Sequence, residues 1–239
     1  TVTAPFRAVS ASVSGWFADK QNYYADNKSL KEENEALKQQ IAEMEATVRQ
    51  GEAASRENAF LRDLLDLRQQ RRDLSDFETA TVTERSVTNW TSSLTLDKGS
   101  AHGVEVGDCV IDGAGALVGR VSRVGYNWST VLTVVDTDTS LGARVYRTQD
   151  IGIAAGDFAL MGDGLLKLDS LPASAQLLEG DLVVTSGFGG YIPPDLVIGS
   201  VTELRAEDSD TTVYAVLTPA ADLASLTEVC IIKSFEVVN

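Results

Sequence analysis

Residues 107–121 read GDCVIDGAGALVGRV, and residues 180–201 read GDLVVTSGFGGYIPPDLVIGSV. Both stretches open on Gly-Asp, run into an apolar segment, turn on glycines and close on a hydrophobic-Gly-x-Val step. Gly107 and Asp108 answer Gly180 and Asp181, while Val118, Gly119 and Val121 answer Ile198, Gly199 and Val201. The second copy is longer through the region 191–196, which carries Pro193 and Pro194. A unit repeated inside one chain signals one supersecondary element used twice. Here that element is strand, glycine turn, strand, so the repeat predicts two small related β-barrels or sandwiches.

Working outward, the hydrophobic period beyond Asp73 is that of strands. Apolar or alternating runs, nearly all bounded by glycine, fall at 79–86, 93–96, 109–111, 117–124, 130–135, 142–146, 165–168, 182–185, 197–204, 213–217 and 229–235. A helical turn is expected only at 222–226. The spacing assigns 73–150 to a first barrel and 151–239 to a second, with a return of the last strands to the first barrel left open.

The first seventy residues follow a different rule. Val2, Val9, Trp16, Tyr23, Leu30, Leu37 and Met44 share one heptad position, and Phe6, Val13, Ile41 and Val48 share the position four residues later. Only Lys20, Asn27 and Asn34 interrupt the seam, and charged or amide residues fill the other faces. That pattern predicts a coiled-coil helix over 1–72. Trp16 and Tyr23 are large for a tight two-stranded seam. Gly51 falls where the next core residue belongs, and the apolar stripe resumes, shifted, at Leu61, Leu64 and Leu65. A glycine costs about 1 kcal/mol in a helix interior, so a weak point or bend is expected there. Such a helix reaches on the order of 100 Å at 1.5 Å per residue.

The formal net charge of −15 is unevenly placed. Residues 1–72 hold 11 Lys and Arg against 11 Asp and Glu, whereas residues 73–239 hold 9 against 24. An acidic β region repels phosphate backbones and anionic lipid, which excludes nucleic acid as a partner and a membrane surface as a resting place. The basic run RQQRR at 68–72 reads as a helix C-terminus complementing its dipole. No apolar run is long enough to cross a bilayer. The chain opens on Thr1 without a methionine and reads as a fragment whose own N-terminus has been removed. Cys109 and Cys230 sit in apolar strands of different halves of the β region, predicting two buried free thiols. No spacing suits a metal, and no cofactor is expected.

Several motifs in fixed order resemble a known family, the rod shape-determining MreC proteins. They are ENAFLRDLLDL at 57–67, WTSSLTLDKGSAHGVEVGDCVI at 90–111, ALVGRV at 116–121, GIAAG at 152–156 and TSGFGGYIPPDLVIGSV at 185–201. Ile192 stands where the family usually has phenylalanine, and Asp195 where it usually has glycine. The resemblance implies a periplasmic coiled coil followed by two β-barrels, anchored to the inner membrane by an N-terminal span not included here. It also implies a non-catalytic scaffold of the cell-elongation machinery. Such a scaffold associates with itself as dimer or filament and links MreD, and indirectly MreB, to the elongation transpeptidase and other peptidoglycan synthases.

An enzyme reading is weak on the residues themselves. A serine triad needs a histidine, and His102, the single one, lies in a polar turn. Ser186 is flanked by glycines that a turn already explains. Asp108 and Asp181 recur symmetrically, as turn residues do, and a divergent active site does not. A periplasmic adaptor of an efflux or secretion system also joins long helices to β domains, but adaptors carry a helical hairpin with β segments on both sides. Two contact surfaces remain as candidates. The seam residues Leu30, Leu37, Ile41, Met44 and Val48 serve self-association. The loop residues Phe188, Tyr191, Ile192 and Pro193 are a candidate partner anchor, with a plug over the loop's own barrel as the competing reading.

Overall fold

The computed structural model describes residues 4–88, 91–172, 175–206 and 213–235, with helical side chains from Lys31 onward. One helix, α1 (Ala4–Gln70), precedes an all-β region in which twelve described strands close two six-stranded barrels. Helical backbone continues through Gly51. Among the described residues no helix is long and apolar enough to cross a membrane.

The first barrel closes in the order β1 (Leu74–Val87), β12 (Glu228–Phe235), β3 (Cys109–Ile111), β4 (Leu117–Val124), β5 (Ser129–Thr133) and β2 (Ser92–Leu96). The second runs β7 (Ile151–Gly156), β6 (Ser140–Val145), β9 (Leu182–Thr185), β10 (Val197–Ala206), β11 (Val213–Pro219) and β8 (Leu166–Asp169). Matched strand for strand, β3 and β4 answer β9 and β10, and β12 answers β6. The second barrel is therefore contiguous in sequence, whereas the first is a circular permutation of the same circuit, interrupted between β5 and β12.

The sequence repeat reappears in backbone detail. The Gly107 N–H donates to Val121 O at 2.8 Å and the Val121 N–H to Asp108 O at 2.9 Å; Gly180, Val201 and Asp181 repeat the pair at 2.7 and 2.9 Å. A register shift falls between Val121 and Arg123 in β4, and between Val201 and Glu203 in β10. These paired β-bulges bend the two hairpins alike and raise their local twist, as closure of a small barrel requires. At Gly119 a Cβ would lie 2.0 Å from Leu132 O, and at Gly199 2.1 Å from Thr218 O. The glycine of each repeat is thus required by the close approach of the neighbouring strand.

The domain boundaries differ from those expected in two places. Strand β6 pairs with β7 and β9, so the barrels divide between Thr133 and Ser140 rather than at 150. Strand spacing does not say which sheet a strand joins, which is why the boundary slips by one strand. At the other end the compact units are Thr1–Arg56 and Glu57–Asn239, so helical residues 57–70 belong with the barrels and not with a separate helix ending at 72. The cause is a different stripe from the one expected: Phe60, Leu64 and Leu67 recur at i, i+4 and i+7, Leu64 is buried and the other two pack against the core, whereas Leu61 and Leu65 are exposed.

Local expectations failed at small and capped segments. Strand β7, GIAAG preceded by Ile151, carries little β-propensity and was not anticipated as a strand. The one-turn helix α2 (Phe158–Met161) is nucleated by Asp157, whose carboxylate accepts the Ala159 N–H at 2.8 Å. The turn expected as helix at 222–226 stops short: Asp222 accepts from Ser225 Oγ and the Ala224 N–H, closing a turn that the backbone does not continue.

One hydrophobic core runs through both barrels, joining Leu74, Ile111 and Leu117 to Leu141, Leu166, Leu168, Ile198 and Leu217. A second cluster, including Leu94, Leu96, Val118, Val131 and Ile231, fills the first barrel. Each such side chain contributes about 1.5–3 kcal/mol on burial. Between the barrels Asp136 is buried at a polar node, its carboxylate accepting the N–H of Ser92 at 2.6 Å and of Asp138 at 2.9 Å. Thr139 Oγ1 donates to Thr133 O at 2.8 Å across the same link.

Candidate partner-binding surface

Equivalent hairpins carry very different loops. In the first barrel the turn 113–115 is short, with Phe60 over Gly113 and Leu67 over Gly115. In the second, residues 186–195 form a long excursion whose base is tied down. Thr185 Oγ1 donates to Pro193 O at 2.6 Å and accepts the Leu196 N–H at 2.9 Å. The same role falls to Asp112 in the first barrel, where its carboxylate accepts the Ala116 N–H at 2.8 Å.

The loop splits the four candidate residues into two pairs. Phe188 and Tyr191 stand 68% and 80% exposed at the tip. Ile192 is half-buried against the shared core, and Pro193 is buried. Ile192 and Pro193 therefore fasten the loop as the plug reading expects, and Phe188 and Tyr191 are left as the exposed pair of the four candidates. Sequence offered no means of separating them, because the direction of each side chain depends on the Thr185 clamp.

Two arginines hold the loop's exit. Arg71 donates from Nη2 to Pro194 O at 2.7 Å and from Nη1 to Asp195 O at 3.1 Å, while its Nε and Nη2 grip the Asp73 carboxylate at 2.9 and 2.7 Å. Arg144 of β6 pairs with the Asp195 carboxylate. Asp195 adopts φ 61°, the left-handed region that glycine enters most easily, and its carboxylate uses the ion pair a glycine could not form.

Beside the loop, β7 is turned inside out. Ile151 and Ile153 face solvent, while Gly152 and Ala154 face the barrel. Ile153 lies opposite Gly142, and the Ser186 N–H donates to Gly142 O at 2.9 Å, so this apolar row runs up to the loop. Sequence reading missed it together with the strand. It also missed a cleft of about 540 Å³ between the barrels, lined by Val87, Leu94, Val135, Met161, Pro219 and Leu223. Those residues are scattered along the chain and have no common spacing.

Along α1, Leu37, Ile41, Met44 and Val48 are exposed, an apolar row among charged and amide residues. The side chain of Leu30 lies outside the described residues.

The structure keeps the residues of the enzyme reading apart. His102 ends a 3-10 turn (Ser100–His102) of the first barrel, and its Nδ1 accepts the Gly99 N–H at 3.5 Å. Ser186 belongs to the second barrel, and its Oγ accepts the Phe188 N–H at 3.3 Å. Among the described residues no group of three or more His, Cys, Asp or Glu side chains converges as metal ligands would. Cys109 and Cys230 are buried and free, but they occupy adjacent strands of one barrel, not different halves of the β region. Non-local pairing of β3 with β12, invisible to spacing, brings them together.

Comparison with known proteins agrees with this architecture. The model of the family "Rod shape-determining protein MreC, barrel core" matches residues 82–233. The cell shape-determining protein MreC of Listeria monocytogenes is 32% identical over 181 residues, covering 74% of this chain and 60% of its own. The chain thus spans less than two thirds of that relative. A solved MreC structure superposes with a TM-score of 0.67 at 27% identity, covering 75% of this chain and 99% of that one. The fold is shared, at 19% identity and a TM-score of 0.51, by a structure described as a complex between Penicillin-Binding Protein (PBP2) and MreC from Helicobacter pylori, covering 66% of this chain and 99% of that one. Because the family match enters in β1 and leaves in β12, spanning both barrels and the permuted closure, this chain belongs to the MreC family of rod shape-determining proteins.

Proposed function

We propose that this chain is the periplasmic part of a non-catalytic scaffold of the cell-elongation machinery. It associates with itself through the α1 seam and presents the tip of the 186–195 loop to a peptidoglycan transpeptidase. Through a membrane anchor outside this sequence it links that synthase to the MreB–MreD system. The observation that carries the reading is the pair Phe188 and Tyr191, two aromatics exposed on a loop fastened at its base. Such a loop loses little further freedom on binding, and exposed aromatics are the side chains from which interface hot spots are commonly built. The Helicobacter pylori structure described as a complex between PBP2 and MreC supports a penicillin-binding protein as the partner. The outward Ile151 and Ile153 add an exposed apolar row beside the base of that loop. Support for self-association is the exposed heptad row from Leu37 to Val48.

The test is binding of the purified protein to the elongation transpeptidase of its own organism. Serine at both 188 and 191 abolishes the interaction on this reading. Unchanged affinity for that double variant overturns it.

A further inference from the structure

Arg71 is the first residue after α1, and all three nitrogens of its guanidinium are engaged. One edge grips the Asp73 carboxylate in a two-point fork, and two further donors, on Nη2 and Nη1, reach the main-chain oxygens of Pro194 and Asp195. Only a planar, multiply donating group spans a carboxylate and two successive carbonyls in this way; a lysine offers a single point of charge. The Asp73 carboxyl, held below its usual value chiefly by the Arg71 hydrogen bond, stays ionised and keeps the guanidinium aimed.

The acceptors lie where the loop returns to its barrel. Thr185 fixes Pro193 O just before them, and Asp195, with its positive φ, is the last residue before buried Leu196. The end of the helix thus touches both copies of the repeated hairpin, through Phe60 and Leu67 on the short turn and through Arg71 on the long one. Contact with the short turn is apolar packing that holds a turn already complete. Contact with the long loop is a strap across its exit, and Phe188 and Tyr191 ride on the span it closes.

We infer that Arg71 is a positioning residue for partner recognition: it fixes the exit of the 186–195 loop so that Phe188 and Tyr191 are presented in one arrangement. The inference rests on the proposal that this loop docks the transpeptidase. Arg71 itself touches no partner and acts through the loop, so its loss loosens the loop while the barrels stay folded.

The experiment compares Arg71→Ala, Arg71→Lys and the Phe188→Ser/Tyr191→Ser double variant with the parent protein. Three readouts are taken: affinity for the elongation transpeptidase, hydrogen exchange resolved to residues 186–196, and melting temperature. In Arg71→Ala, loss of two charge-assisted bonds to the loop speeds its exchange by about tenfold and weakens binding by a similar factor. Exchange elsewhere in the barrels stays at the parent's rate, and Arg71→Lys recovers part of both effects. Parental loop exchange in Arg71→Ala overturns the inference, as does a uniform rise across both barrels, which marks a merely structural role. Parental affinity in Arg71→Ala alongside lost binding in the double variant overturns the inference but leaves the docking loop standing. If the double variant binds like the parent, the docking loop falls and the inference with it.

Discussion

Arg147 clamps Asp181, donating from Nε to Oδ1 and from Nη2 to Oδ2, each at 2.7 Å. Asp181 also accepts the Leu178 N–H at 2.8 Å, just as its counterpart Asp108 accepts the Glu105 N–H at 2.8 Å. The turns are equivalent, yet the two carboxyls move in opposite directions. The Arg147 hydrogen bond draws Asp181 below its usual value, while burial pushes Asp108 above. A depressed folded-state value stabilises the fold above the unfolded value of about 4 and loses that contribution as pH falls through the folded value. Asp181→Asn is therefore expected to be less stable than the parent at pH 7, with the gap closing in acid. Urea unfolding between pH 7 and pH 3 checks this, and a gap independent of pH refutes it.

The glycines at 119 and 199 should tolerate nothing larger. A methyl group at either position meets a carbonyl oxygen of the neighbouring strand at about 2 Å, and that backbone has no room to withdraw. Overpacking of this kind costs about 1–3 kcal/mol. Gly119→Ala and Gly199→Ala are each expected to unfold at clearly lower urea concentration, or to be recovered insoluble. A midpoint equal to the parent's in either variant contradicts the close approach.

The loop residues separate by what they touch. Phe188→Ser and Tyr191→Ser alter side chains that stand in solvent, so the melting temperature should hold while transpeptidase binding falls. Ile192→Ser removes a side chain packed against the shared core and is expected to cost about 1–3 kcal/mol of stability. Thermal melts of the three single variants decide between this division and a loop that is uniformly exposed or uniformly a plug.

Self-association through the α1 seam, as proposed above, has a direct test. Glutamate at both 37 and 41 places charge in the seam, where each buried aliphatic is worth about 1.5–3 kcal/mol. Sedimentation should then report a smaller species while circular dichroism keeps the β signal of the barrels. Sedimentation identical to the parent's removes the seam from the account.

Cys109 lies opposite Ile232 and Cys230 opposite Ile111, so the two thiols are diagonal neighbours across one strand pair. Diagonal positions are about 7–8 Å apart, beyond the roughly 7 Å that a disulfide spans without backbone movement. Burial pushes both thiols up to about 12, which leaves almost no thiolate at neutral pH. Native protein is expected to react slowly with a thiol reagent and to yield two free thiols on denaturation without reductant. Finding none refutes this.

What could be read before folding was whatever repeats or lies close along the chain. The Gly-Asp openings, the glycine of each Leu-Val-Gly or Val-Ile-Gly step and the heptad row are local patterns, and the two matched hairpins and the long helix follow from them. What could not be read depends on pairings distant in sequence. The barrel that β6 joins, the adjacency of Cys109 and Cys230 and the role of Arg71 are each set by strands or loops scores of residues away. Strand β7 was hidden for another reason: its inward residues are glycine and alanine and its outward ones isoleucine, the reverse of the pattern that marks a half-buried strand. Pro193 looked like part of an exposed anchor because composition gives no direction, and the Thr185 hydroxyl that turns it inward lies eight residues earlier.

The permuted order of the barrels also sets an order of assembly. The second barrel has all its strands once residue 219 has been made, whereas the first holds β1 to β5 and waits for β12, residues 228–235. Until that strand arrives, β1 and β3 present unpaired edges, the kind of surface through which incomplete chains recruit one another. The inserted barrel is complete before its host. A chain cut before β12 would thus carry one finished barrel and one open one, and would be recognised by its tendency to aggregate rather than by any lost contact at the 186–195 loop.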